Sequence, residues 1–315
     1  MNSLYNSNNE LIIKPANDVI FKKLFIENED LLQDLVASIM GIPYDSINEL
    51  TILNNEMPIE HAGSKRCSLD LRLRVNGEPF SIEIHLKNDN FFTDRSVFYW
   101  VKLFVSPLKS GEDYTELRKT VSVNIINFKM FRNYSDTHTV IQMKNNNDNS
   151  VFYDKFEIHF FELPKLSGDI DPSDRCDMWM KFINAQNKED FDMITASDDE
   201  ILKKAVFKIH EMSDDEKIVE EAFQREMFLH DIASIKKKAH DSGIAEGEAK
   251  GRAEGRAEGR AEGETKGKIE ATKAMKYLMK NYSEQKSDDD IINGLVSELG
   301  ISSDDARKYL DEFLE

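Results

Sequence analysis

Asn76-Gly77 joins two runs of alternating side chains, residues 68–75 and 78–87, and constrains the chain more than any other feature. Asn-Gly between alternating hydrophobics signals a two-residue hairpin, because both central residues of a type I′ turn take positive φ. The short loop fixes the register. Val75 pairs with Glu78, and counting outward puts Asp70 directly across from Glu83. That is a non-hydrogen-bonded pair, the closer kind, with Cα atoms about 4.5 Å apart. Pro79 falls at the same kind of position, so its missing N–H costs the hairpin nothing.

Leu69, Leu71, Leu73, Val75, Phe80, Ile82, Ile84 and Leu86 are expected to form a core face. Asp70, Arg72, Arg74, Ser81, Glu83, His85 and Lys87 share the other face. An ordinary solvated polar face is the plain alternative. Against it, like charges directly opposed destabilise a sheet unless something neutralises them. A hard divalent cation such as Mg²⁺ takes carboxylate oxygens and keeps waters for chemistry. With His85 and Lys87 beside the acids, the cluster has the composition of a metal-assisted hydrolase site.

The chain has 315 residues, enough for one substantial domain and a smaller appendage. It has no apolar run near the roughly 20 residues of a membrane span. Its polar, Asn-rich start does not read as a signal peptide. Cys67 and Cys176 form no spaced metal motif and suggest no disulfide, so a cytoplasmic location is expected. The net charge of −18 weighs against a nucleic-acid partner. Residues 65–136 are nevertheless slightly basic, so a local surface around the hairpin can attract phosphates. Arg72 and Arg95 are candidates for such contacts.

The expected organisation is a disordered stretch over 1–10, a core domain over 11–200 and a charged helical arm over 201–242. A Gly-Ala-Glu/Arg repeat over 243–267 and a small helical segment over 268–315 follow. Within the core, Asn17 or Asp18 caps a helix with Val19, Ile20, Leu24 and Phe25. A second helix over 29–40 stops at Gly41. Thr93 or Asp94 caps a third, ended by Pro107. Strands are expected over 121–128 and 156–163, with a loop tip at 145–149 and a closing helix around Met178 to Ile183. This pattern predicts an α/β core with a mixed sheet. The tail reads as two short helices, 288–299 and 303–314, broken at Gly300.

Glycine recurs every fourth residue from Gly243 to Gly263. Each costs about 1 kcal/mol against Ala in a helix. The spacing also stacks Arg252, Arg256 and Arg260 together, and Glu254, Glu258 and Glu262 together. A flexible linker is one reading. The other is a homodimer through parallel helices meeting at their glycine stripes, with Arg rows facing Glu rows. A period above 3.6 makes such a contact a right-handed crossing over a few repeats.

Several segments together resemble a known family. They are Asp18-Val-Ile-Phe-Lys-Lys-Leu-Phe25, the Asp70 strand, Ile82-Glu83-Ile84-His85, Arg95-Ser-Val-Phe-Tyr99, Gly111-Glu-Asp-Tyr114, Met178-Trp179-Met-Lys-Phe182 and the Glu-Gly tail. In this order they resemble the recombination-promoting nuclease (Rpn) or putative transposase family, a branch of the PD-(D/E)XK nuclease superfamily. The likeness covers most of residues 10 to 270. It implies a DNA endonuclease fold with a central mixed sheet flanked by helices and an active-site hairpin. Asp70 and Glu83 match the two metal-binding acids, position Ile84 offers a backbone carbonyl, and Asp18 matches an acidic position that completes the site. His85 departs from the pattern, which has Lys, or Gln in this branch. A neutral imidazole is a metal ligand and a charged one stabilises a developing phosphorane. Lys87 is a candidate to supply the missing cation.

The sequence is therefore read as a Mg²⁺- or Mn²⁺-dependent DNA endonuclease. The alternatives are a DNA-binding or recombination-associated relative that has lost cleavage, and an interaction protein acting through its helical tail. The last helix is too acidic to enter a major groove comfortably, so protein contact suits it better.

Overall fold

The computed structural model describes residues 4–57, 67–88, 91–166 and 171–315. Two compact units divide at His230/Asp231.

The first unit is built on a six-stranded mixed sheet in the order β1-β2-β3-β4-β6-β5. The strands are β1 (Leu50–Leu53), β2 (Leu71–Val75), β3 (Glu78–His85), β4 (Thr120–Ile126), β5 (His138–Lys144) and β6 (Val151–Glu162). β3, β4 and β6 are parallel to one another; the outer pairings are antiparallel. β4 is buried along its whole length, as its β-branched run suits a central parallel strand covered on both faces. The Asn76-Gly77 hairpin forms in the expected register, from Val75↔Glu78 to Leu71↔Ile82. Asn76 and Gly77 take φ of 48° and 83°. Pro79 lies one residue before the β3–β4 ladder begins at Phe80.

Helices α1 (Asp18–Glu27) and α2 (Glu29–Met40) pack with α4 (Arg175–Asn184), α5 (Lys188–Thr195) and α6 (Glu200–Ser213) in the main core, which includes Leu71, Leu73, Phe80, Ile82 and Ile84 of the hairpin. Asn17 caps α1 by accepting from Val19 N–H, and Gly41 ends α2 in the left-handed region. Buried Asp34 on α2 accepts from Trp179 Nε1 at 2.7 Å and from Arg175 Nε at 2.8 Å, tying α2 to α4. Helix α3 (Phe92–Val105) covers the opposite face of the sheet. Its Trp100 is buried, stacks on Phe104 and donates to Thr120 C=O at 2.9 Å. No side chain caps α3, which begins earlier than Thr93 or Asp94 would set it.

Several expectations need correction. Residues 4–10 are tied down rather than disordered: Leu4 is buried, Tyr5 bridges Leu11 and Glu10 bridges Asn187. Met1 to Ser3 lie outside the described residues. The core does not end at 200. Leu202, Ala205, Val206, Ile209, Ile218 and Ala222 all belong to it, so the supposed arm begins as core helix. Strands β1 and β5 were not foreseen; both are edge strands with half-exposed or exposed side chains, so burial imposes no clear alternation on them. The plain alternative of a solvated polar face on the hairpin holds only in part: Arg74 and Lys87 are exposed, but Ser81 and Glu83 are buried.

Helix α7 (Glu216–Ser283) includes the glycine repeat, which is therefore helical. Within the first part of the repeat Glu248 pairs with Arg252 and Lys250 with Glu254, attractive i,i+4 contacts. In the second unit the end of α7 packs with α8 (Asp288–Leu299) and α9 (Ser303–Leu314) around Leu278, Ile291, Leu295 and Leu310. Ser287 and Ser302 cap these helices, and Gly300 separates them at φ 68°.

Two glycines are expected to behave oppositely. Gly77→Val forces a β-branched residue to positive φ and lowers stability in urea unfolding by about 1–2 kcal/mol. Gly267→Ala, on an open helix surface, raises the melting point of the far-ultraviolet helical signal, since Ala is favoured over Gly by about 1 kcal/mol.

Candidate active site

The two acids do meet, but not as an ordinary cross-strand pair. The ladder stops at Leu71↔Ile82. Beyond it, Asp70 N–H donates to Glu83 Oε1 at 2.7 Å, and Ile84 N–H donates to Asp70 Oδ2 at 2.9 Å. Each carboxylate thus accepts a main-chain hydrogen bond from the other strand. The chain bends away at Asp70, and Leu69 N–H goes to Asn55 C=O at 2.9 Å. Leu69 consequently leaves the face it was expected to share with Leu71. It packs instead with Met57, Cys67 and Leu103, under α3.

Lys22 on α1 sets its ammonium 2.7 Å from Asp70 Oδ1. Glu83 is only 3% exposed. Burial, and then the charge of Asp70, push its carboxyl well above the ordinary range, while Lys22 and Arg95 pull it down. Desolvation contributes more to this than the neighbouring charge of Asp70. Burial pushes the nearby Cys67 thiol up to about 11, with Glu83 adding to it.

The other candidates are distributed around this pair. His85 follows on β3, with Nε2 4.0 Å from Glu83 Oε2 and Nδ1 3.3 Å from Arg95 Nη2. Phe92 packs edge-on against His85 and lies under Arg95. Arg95 therefore stands beside His85 at the start of α3. Lys87 turns away, donating to Leu229 C=O on α7 at 3.1 Å. Arg72 reaches Asn54 C=O and Ser106 Oγ, both at 3.3 Å. Asp18 is held by a fork from Arg225 on α7, at 2.6 to 3.0 Å. Ile84 lies in the ladder beside Ile125.

Among the described residues no group of three or more His, Cys, Asp or Glu is arranged to hold a metal ion. Two carboxylates with a cation on one of them still suit a Mg²⁺-type ion, which takes one or two carboxylates and fills its remaining positions with water and phosphate oxygens. A buried Glu83 whose ionisation is disfavoured is the observation that fits: a positive charge beside it relieves that penalty.

With the geometry established, comparison with protein families identifies the chain. A family model described as PD-(D/E)XK nuclease family transposase matches residues 15–239. The chain belongs to that family. Comparison with curated proteins and with solved structures finds no significant match. The matched span takes in the whole sheet, the hairpin and the part of α7 that touches Asp18 and Lys87. The mixed sheet flanked by helices is the α/β nuclease-like fold expected from the sequence. Among the described residues no helix is long and apolar enough to cross a membrane.

Lys22 and Arg225 were missed from sequence. A signal for Lys22 existed: it stands four residues after Asp18, on the same helix face, whereas Lys23 pairs outward with Glu27. Nothing local pointed to Arg225, 207 residues from its partner.

Glu83 gives a pH test. Its pKa is raised in the fold, so folding stability falls as pH rises from the ordinary Glu range through the folded pKa. Glu83→Gln keeps the acceptor for Asp70 N–H and removes the charge. Without metal, the variant is expected to melt higher than wild type at pH 8, by several degrees, about 1 kcal/mol corresponding to a few degrees in a domain of this size. The gap should close toward pH 4.5. Equal melting at both pH values contradicts the burial of an ionised Glu83.

Proposed function

We propose that this chain is a Mg²⁺- or Mn²⁺-dependent DNA endonuclease that hydrolyses phosphodiester bonds. The observation that carries the reading is the Asp70–Glu83 pair, locked by reciprocal main-chain hydrogen bonds in a chain of a nuclease-transposase family. Asp70 and Glu83 would hold the ion, with Ile84 C=O and Asp18 as further candidates. When bound, such an ion supplies Lewis-acid activation of water and charge neutralisation at the phosphate. The hydrogen bonds from Asp70 N–H and Ile84 N–H fix the carboxylates before any ion arrives, so little reorganisation is needed on binding. His85, beside Glu83 and backed by Arg95, is assigned to orienting the attacking water or stabilising charge on the phosphate. Arg72 and Arg95 were the phosphate contacts expected from the sequence; in the free protein Arg72 reaches Asn54 C=O and Ser106 Oγ instead, and Arg95 stands against His85. Lys87 is proposed to play a positioning role through its contact with α7.

The test is nicking of supercoiled plasmid with Mg²⁺ or Mn²⁺. Wild type is expected to nick, and Asp70→Ala and Glu83→Ala to lose at least about 100-fold, the scale of removing metal-assisted stabilisation. Cleavage by Asp70→Ala at the wild-type rate would sink the assignment. Faster cleavage by His85→Gln would mark the natural chain as a weakened member. DNA binding without cleavage by any form would favour the reading of a relative that has lost catalysis.

The same reading includes a homodimer through parallel α7 helices. Its support is that the repeat is helical and its glycines have open space beside them. Single cysteines at Gly247 and Gly263 distinguish the arrangements. A parallel pair cross-links each variant to itself; an antiparallel pair joins only a mixture of the two.

A further inference from the structure

A hydrolytic site built on two carboxylates must also attract a phosphodiester, which both acids repel. The cations around the hairpin are mostly committed elsewhere. Lys87 serves a main-chain carbonyl of α7, Arg72 reaches Asn54 and Ser106, and Arg95 stands against His85. Among the described residues the ammonium seated on a site carboxylate is that of Lys22.

Its setting separates it from an incidental surface charge. Ile20, Phe21, Leu24 and Phe25 are all essentially fully buried, so α1 is a fixed platform. From that platform Lys22 reaches inward to Asp70 while Lys23 pairs outward with Glu27. The Lys22 side chain is 30% exposed and that of Asp70 15%, so the ammonium stays within reach of solvent while Glu83 is buried. A lysine head is a compact charge on a flexible stem with three donors, and it can keep its place near the acids while turning to a new acceptor. A divalent cation on the same carboxylates repels it from Asp70 Oδ1.

We propose that Lys22 is the phosphate-binding residue of this site: it holds Asp70 in the free protein and turns to the DNA phosphate when a divalent cation takes over the acids. The assignment rests on the hydrolytic reading above. It gives Lys22 two effects of opposite sign. Lys22 competes with the metal in the absence of DNA, and it assists DNA binding once metal is present.

Lys22→Met removes the charge and keeps the stem; Lys22→Arg keeps the charge. Both are made in the full chain, and melting curves verify folding. Free Mn²⁺ measured by electron paramagnetic resonance, without DNA, should show Lys22→Met binding Mn²⁺ more tightly, by about 3- to 10-fold for removal of a competing state. Binding of a duplex oligonucleotide, followed by fluorescence anisotropy in Ca²⁺, should weaken about 5- to 10-fold in Lys22→Met. The slope of log affinity against log salt should fall by about 1. Lys22→Arg should restore both. In EDTA, wild type and Lys22→Met should bind duplex alike.

Unchanged Ca²⁺-dependent binding and salt slope in Lys22→Met overturn the proposal and leave a structural counterion. An equal loss with and without Ca²⁺ overturns it in favour of a general surface charge. Failure of wild type to nick plasmid removes the hydrolytic reading alone, because the Ca²⁺-dependent Lys22 effect on binding is still read. No metal-dependent duplex binding by wild type overturns both.

Discussion

The pair of hydrogen bonds from Asp70 N–H to the Glu83 carboxylate and from Ile84 N–H to the Asp70 carboxylate is the interaction on which the site depends. Two carboxylates at the end of an antiparallel ladder repel each other, and a regular next rung would leave them side by side with nothing between. Here each accepts a main-chain N–H instead. Hydrogen bonds to ionised acceptors are stronger than neutral ones, which offsets part of the repulsion. This pair of bonds also ends β2. Because Asp70 N–H is spent on a side chain, the preceding residues are released to pair with residues 55–57. Leu69 and Cys67 thereby reach the underside of α3 and pack there with Met57 and Leu103.

The surrounding elements complete an alternating arrangement of charge. Arg225 on α7 faces Asp18 on α1; one turn along α1, Lys22 faces Asp70; and Asp70 is bonded to Glu83. Each acid is neutralised by a group from a different helix, except Glu83, the most buried of them. Its disfavoured ionisation is the one imbalance in the series, and it is where a divalent cation gains most. The first turns of α7 are part of this arrangement through Arg225 and Leu229, both within the matched family span.

Legibility in the sequence followed the range of the interactions. The hairpin, its register and the facing acids were readable because a two-residue turn and a period of two need no distant partner. The cap of α1, the stop of α2 at Gly41 and the break between the last two helices at Gly300 are likewise local. Residues 4–10 and 201–222 looked polar or charged because only part of each is apolar, and their burial depends on surfaces supplied by the core. Edge strands β1 and β5 gave no pattern because their side chains are not sorted by burial.

The sequence by itself determined that Asp70 and Glu83 adjoin on one hairpin, since the Asn76-Gly77 turn leaves one register available. Only the tertiary structure decided how they adjoin and what neutralises them. The bend at Asp70, the burial of Glu83 beneath α3, and the choice of Lys22 rather than Lys87 as the nearby ammonium all depend on packing between segments far apart in the chain. A side chain's charge can be read from its letter; the solvent and partners that set the consequence of that charge are fixed by the fold.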